Sequence, residues 1–288
     1  MARLLIGLIT IGAVALLYVG VVTNRAVERI SHERPPTTAF MRHSAATASR
    51  VDQPTAWTHL SALPPFVTCA FVKAEDREFF RHHGFDGAQL FRAASGAITG
   101  TRHMGGSTIS QQLARNLFLS DERSMRRKVA EAAYSVLLER RLSKREMLEL
   151  YLNIIEFGPD VWGIDAASRH YFGVPPESLS LGRATFLASI LPDPRHAATS
   201  NPRVRAVEMR VLAELWASGM ISEAMLDSAA RSLSLPPLRR AGAQAFLARD
   251  DRARLSGSIA DASGGADCGL AREKELQRHP ERRIAKVP

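Results

Sequence analysis

The sequence predicts a mainly α-helical chain, on three observations. Strict apolar–polar alternation, the mark of a half-buried strand, is scarce along the 288 residues. Apolar residues instead recur at three- and four-residue spacing in successive stretches: 66–84, 105–119, 123–153, 163–171, 180–191, 202–218 and 222–233. Between these stretches stand helix-breaking groups such as Gly158-Pro159, Pro175-Pro176 and Pro192-Asp193-Pro194.

The chain opens on Leu4 to Val22, an uncharged apolar run. As a helix it would be roughly 28 Å long, about the thickness of bilayer hydrocarbon. It reads as an uncleaved membrane anchor; the alternative, a signal peptide, lacks a small-x-small cleavage site directly after it. Arg3 precedes it and Arg25, Glu28 and Arg29 follow, so flanking charge does not orient it. The expected organisation is an anchor at 1–25, a Pro-containing linker or stalk with room for a short helix at 26–63, a folded domain at 64–238 and a tail without order at 239–288.

Within the domain, FVTCAFVKAEDREFFRHHGFD carries helix-compatible apolar positions and ends at Gly84, a C-cap residue type. Glu75 lies in it among Ala, Val and Phe. Surface acids are usually solvated, but desolvation of this one would raise its basicity, as a general base requires. Residues 88–100 read as a short helix followed by a loop to Met104. With Phe91, Ile98 and Met104 beside Arg92 and Arg102, this part is either an amphipathic element at a membrane surface or a buried helix with a solvent loop.

GGSTISQQLARNLFL, from Gly105 to Leu119, starts with a flexible turn and an N-cap residue type. Thr108, Gln112, Arg115 and Asn116 share one helix face, and Ile109, Leu113 and Leu117 the next. The polar face is either ordinary solvated surface or a binding face for sugar and phosphate. The long pattern from Arg123 to Asn153 has a break near Leu142-Ser143 and an expected apolar stripe of Val129, Ala132, Ala133, Val136 and Leu137. Arg127 and Glu131 are four apart there, with Lys128 adjacent. They form either a surface ion pair contributing ~0–1 kcal/mol or a cationic cluster for a pyrophosphate.

A formal charge of +9 fits a polyanionic partner or an anionic membrane surface. CxxC, HExxH, GxxxxGKS and GxGxxG spacings are absent, which removes support for a metal site or a nucleotide site of those kinds. Of the two cysteines, Cys69 sits in an apolar run and reads as core, and Cys268 sits in a Gly/Ser-rich tail. The pattern leaves a structural disulfide between them open but does not favour it.

Four segments, in order, resemble one family. AEDREFFRHHGFD, GGSTISQQLARNLFL, RKVAEAAYSVLLERRLSKREMLELYLNIIEFG and GIDAASRHYFG with LASILPDP are similar to the motifs of the peptidoglycan glycosyltransferases, the family-51 transglycosylases. The likeness spans about Phe66 to Arg210 and is greatest to the monofunctional biosynthetic type. It implies a lysozyme-like, mostly helical fold behind the transmembrane helix. The implied activity is polymerisation of lipid II into β-1,4-linked glycan with release of undecaprenyl pyrophosphate. The chain is too short after the matched part for the transpeptidase domain of bifunctional relatives, so no transpeptidase activity is expected. The implied location is the cell inner membrane, single-pass, with the catalytic domain on the periplasmic side.

The resemblance also implies site residues. Glu75 matches the catalytic glutamate that takes the proton from the acceptor 4-hydroxyl, and Glu131 the second essential glutamate. Asp76, Phe79 and His82 match supporting positions of the first motif, and Thr108, Gln112 and Asn116 contacts of the second. Arg115 stands where the family commonly has lysine, a change of geometry at constant charge. Arg127 and Lys128 match the basic pair of the third motif. The family leaves room for a divalent cation, magnesium or manganese, though the sequence shows no dedicated ligands. Implied partners are lipid II, the nascent glycan, the membrane and other cell-wall synthases, with no nucleic acid. Two rival readings start from the same residues: a glycan-cleaving enzyme on the same fold, and a non-catalytic membrane scaffold.

Overall fold

The computed structural model describes residues 24–30, 35, 37–45, 56–85, 107–119, 124–196, 198–236, 243–244 and 268. The expected anchor at Leu4–Val22, the segment 88–104 and most of the tail lie outside the described residues. Among the described residues no helix is long and apolar enough to cross a membrane.

The described chain is mainly helical, as expected. Helices α1 (24–30) and α2 (Ala39–Ala45) come first. Then come α3 (Pro65–Glu75), α4 (Ile109–Phe118), α5 (Met125–Arg141) and α6 (Lys144–Ile154). A small antiparallel hairpin follows, β1 (Glu156–Gly158) with β2 (Val161–Trp162). The chain continues through α7 (Gly163–Phe172), α8 (Leu181–Ile190), α9 (Pro202–Ala217) and α10 (Glu223–Ser232).

The caps explain most of these boundaries. Thr108, Ser124, Ser143, Ser180 and Ser222 each accept a backbone N–H at the start of a helix. Ser143 forms a capping box with Glu146, which fixes the break between α5 and α6 at the expected place. The turn into α7 needs Gly163: at φ +80° its Cα lies so close to the Asn153 carbonyl oxygen that an added Cβ would sit 2.5 Å from it.

Two groups of helices share one core. α3 packs on α8 and α9, and α10 closes that group. α4 packs on α2, α5 and α6, with α7 against α6. Phe71 on α3 meets Phe157 on β1 with ring centroids 5.8 Å apart, which joins the groups. The C-terminus of α3 also meets α4, where Asp76 accepts the Ile109 N–H, so the end of α3 lies at the seam between the groups.

Residues 37–45 and 56–62, expected as part of a linker, pack on the helices that follow. Phe40 on α2 meets Trp162 edge-on at 5.7 Å. The Thr58 N–H donates to Asn153 Oδ1, and Asn153 Nδ2 donates back to the Thr58 carbonyl, both at 2.8 Å. Trp57 Nε1 donates to Glu149 at 2.9 Å.

Three expectations need correction. Cys69 and Cys268 form a disulfide with Cα atoms 5.6 Å apart, tying a tail residue to α3. The sequence hid this because the partners are 199 residues apart. Secondly, α3 ends at Glu75 rather than running to Gly84; Asp76 leaves the helical backbone at φ −156° and is held by tertiary hydrogen bonds. Thirdly, the buried face of α5 carries Glu131, Ser135 and Leu138, while Val129 is 68% exposed. The ion pairs of Glu131 and the Ser135 hydroxyl bond to the Glu131 carbonyl make that polar burial tolerable.

Candidate active site

Glu75 is the last residue of α3. There it lies at the negative end of the helix dipole, which disfavours a carboxylate anion. Part of the residue stays open to solvent. Burial of the carboxyl raises its pKa above the usual glutamate value, partly offset by a hydrogen bond from Gln112 and by the charges of Arg210 and Arg115. A desolvated carboxyl with raised proton affinity, on a residue that is not fully enclosed, can accept a proton from a bound hydroxyl.

The residues after Glu75 are struts. Asp76 is buried and accepts the Ile109 N–H at 2.9 Å, at the first turn of α4. His82 Nε2 lies 2.9 and 3.0 Å from the two Asp76 oxygens. The Gly84 N–H donates to His82 Nδ1 at 3.2 Å, so the ring proton is on Nε2 and points at Asp76. Phe79 is fully buried, 5.1 Å from the Phe80 ring and under the Lys144 ammonium at 4.4 Å. Gly84, at φ +91°, turns the chain so that its carbonyl accepts the Thr108 hydroxyl at 2.8 Å.

These contacts fix the start of α4, and α4 in turn aims Gln112. Thr108 is its N-cap, in a capping box with Gln111. Gln112 Nε2 donates to Glu75 Oε2 at 2.7 Å, and the Tyr151 hydroxyl donates to Gln112 Oε1 at 3.0 Å. The tyrosine thereby sets the amide orientation, since a flipped amide would turn its oxygen on the carboxylate. Tyr151 is fully buried, and burial together with the nearby Glu75 charge pushes its pKa well up. Asn116 is buried and donates to the Gln112 carbonyl at 2.8 Å. The Arg115 guanidinium lies 5.9 Å from the centre of the Phe40 ring.

The second carboxylate, Glu131, is held by two cations. Arg127 Nη1 donates to Oε2 at 2.7 Å and Lys128 Nζ to Oε1 at 2.6 Å. Lys128 Nζ also donates to the Ser107 hydroxyl at 3.1 Å, and the Ser107 carbonyl lies 3.5 Å from Gln112 Nε2. A polar chain thus runs from Glu75 through Gln112, Ser107 and Lys128 to Glu131. Two cations against one carboxylate leave the cluster net positive, and the Lys128 side chain is 48% exposed. Such a group can stabilise a leaving anion.

Glu131 spends both oxygens on these cations, and no three His, Cys, Asp or Glu side chains gather into a metal set among the described residues. The described residues do not fit a resident divalent cation.

Of the expected residues, Glu75, Gln112, Arg127, Lys128 and Glu131 come together directly, with Arg115 acting on Glu75 through its charge. Asp76, Phe79, His82, Thr108 and Asn116 hold the frame. Tyr151 and Ser107 were missed. A tyrosine and an asparagine two apart in the apolar run LELYLNI were the available signal for Tyr151.

A family model described as transglycosylase matches residues 43–215. The chain belongs to the transglycosylase family. It is an enzyme of that kind, a glycosyltransferase. A biosynthetic peptidoglycan transglycosylase of Nitrosomonas eutropha is 40% identical over 63% of this chain and 77% of its own length. One of Laribacter hongkongensis is 41% identical over 56% of this chain and 73% of its own. Penicillin-binding protein 1A of Escherichia coli is 41% identical over 58% of this chain but only 20% of that protein.

Proposed function

We propose that this transglycosylase builds peptidoglycan by polymerising lipid II into β-1,4-linked glycan, releasing undecaprenyl pyrophosphate, without transpeptidase activity. The observation that carries the reading is the pairing of a desolvated glutamate, oriented by Gln112, with a separate cationic cluster. The acceptor 4-hydroxyl oxygen attacks C1 of the donor sugar, Glu75 takes the hydroxyl proton, and the C1–oxygen bond to pyrophosphate breaks. The bonding pair leaves on the pyrophosphate, whose charge Arg127, Lys128 and Arg115 stabilise. Donor α and product β linkages make the step inverting, so base and leaving group sit on opposite faces of the sugar. A pyrophosphate leaves without a strong general acid, which suits a Glu131 that orients cations.

The matched part has the helical content expected of a lysozyme-like domain. Both substrates carry long lipids, so the cleft works beside a bilayer, with Leu4–Val22 as its single-pass anchor in the inner membrane and the domain on the periplasmic side. Other cell-wall synthases are partners of this reading. The biosynthetic relatives named above favour synthesis over a glycan-cleaving enzyme or a scaffold.

The test is incubation of purified full-length protein with lipid II. The reading expects lipid-linked precursor to disappear into polymer that a muramidase digests to β-1,4-linked disaccharide units. Release of anhydro-sugar fragments from finished cell wall, with lipid II untouched, would instead identify the cleaving enzyme.

A further inference from the structure

α3, the helix that ends in Glu75, is capped from far along the chain. α9 packs across α3, and Arg210 on α9 reaches its last turn. Arg210 Nη2 donates to the Ala74 carbonyl at 3.0 Å and Nη1 to the Lys73 carbonyl at 3.3 Å. These carbonyls belong to the set that a helix C-terminus leaves without intrahelical partners. A cation at that end also opposes the negative end of the helix dipole. One turn further along α9, Glu214 pairs with Arg77, two residues past Glu75. A single helix therefore grips the chain on both sides of the carboxylate. Two adjacent carbonyls match the planar fork of a guanidinium; an ammonium would meet them as a point charge.

We propose that Arg210 is a positioning residue for the transfer reaction: it holds the final turn of α3 so that the Glu75 carboxyl faces Gln112, and it sets the charge around that carboxyl. This rests on the reading of Glu75 as the base. Four charged or titratable groups act on Glu75 or are acted on by it: Asp76 beside it, Arg115 from α4, Tyr151 from α6 and Arg210 from α9. Among the described residues α8, the remaining large neighbour of α3, adds no charge to this set. Arg210 and Arg115 favour the carboxylate and Asp76 opposes it, with Arg210 the largest of the three. Without Arg210, the carboxyl would hold its proton to higher pH.

The experiment compares wild type, Arg210→Met and Arg210→Lys as full-length protein. It measures lipid II polymerisation across pH, with kcat and KM separated and thermal unfolding run in parallel. Arg210→Met should lower kcat about tenfold or more with little change in KM, as expected for a misplaced catalytic group. Its acidic limb should also move to higher pH. Arg210→Lys should return the limb to the wild-type position through its charge while kcat stays several-fold low. An acidic limb unmoved in Arg210→Met, with loss of rate only in proportion to loss of folded protein, overturns the proposal. Should Arg210→Met not fold, Arg210→Lys decides alone, and a wild-type kcat there refutes the need for the fork. Glu75→Gln separates the two layers. If that variant polymerises normally, the base assignment itself has failed; if it is inactive and the Arg210 variants behave as wild type, only the role of Arg210 has.

Discussion

Replacing Asp76 by Asn keeps the side chain's size and removes its charge. In the wild-type protein this buried carboxylate accepts the Ile109 N–H and the His82 Nε2–H, at 2.9 Å or slightly more. Both donors reach Oδ2, and His82 Nε2 also lies 3.0 Å from Oδ1, so an amide with its oxygen at the Oδ2 place sets its NH2 against His82, and the flipped amide sets it against the Ile109 N–H as well. Whichever way it lies, at least one buried donor faces a donor. A hydrogen bond to a charged group contributes ~1.5–3 kcal/mol, and an unsatisfied buried polar group costs ~1–3 kcal/mol. The expected loss for Asp76→Asn is therefore about 3–4 kcal/mol. At about 2–4 °C per kcal/mol for a domain of this size, Tm should fall by roughly 6–16 °C. Thermal unfolding of the purified full chain, followed by circular dichroism at neutral pH, reads this directly. His82→Gln should lose less, and the double variant should be less destabilised than the sum, because both changes remove the same bond. An unchanged Tm with lost affinity for lipid II would refute the reasoning and put Asp76 at the substrate, not under α4.

Other outcomes follow from the same structure. Cys268→Ser opens a 199-residue covalent loop. By chain entropy that loss is about 5 kcal/mol, so reductant should lower the Tm of wild type and leave the variant unmoved; two free thiols in non-reduced wild type would contradict the bridge. Tyr151→Phe frees the Gln112 amide and should slow polymerisation about fivefold, the equivalent of ~1 kcal/mol for one hydrogen bond, with KM nearly constant; a wild-type rate would mean that Gln112 needs no such brace. Buried Glu208 has its pKa raised by burial from 4.5 to about 7, with Arg205 opposing the shift. A carboxyl that binds its proton more tightly when folded stabilises fully below pH 4.5 and loses that contribution as pH rises through 7, a change of roughly 3 kcal/mol. The Tm of wild type should therefore fall from pH 5 to 8 relative to Glu208→Gln, and parallel curves would remove Glu208 as the cause.

Much of the helical order was legible because it is local. The Ser143 cap and the apolar residues after it mark the start of α6, and Thr108 marks α4 in the same way. The partners that decide the rest are distant in sequence. Nothing near Glu75 says that α3 stops there, because the Asp76 contact that leads the chain away comes from Ile109 on another helix. The pattern of α5 misled, since counting apolar residues favours Val129 over Glu131. The fold buries Glu131 instead, once Arg127 and Lys128 neutralise it. Glu75 and its raised proton affinity were foreseeable from its apolar neighbours. Its link to Tyr151 through Gln112 was not, because it joins three helices.

The most direct test of Glu75 as the base is lipid II polymerisation by Glu75→Gln beside wild type, with lipid II binding measured on both. The amide keeps the size of the side chain and cannot take a proton from the acceptor hydroxyl. Wild type should make polymer, and the variant should bind lipid II without making polymer. Polymerisation by the variant at a rate near wild type would contradict that role and move the base elsewhere in the cleft.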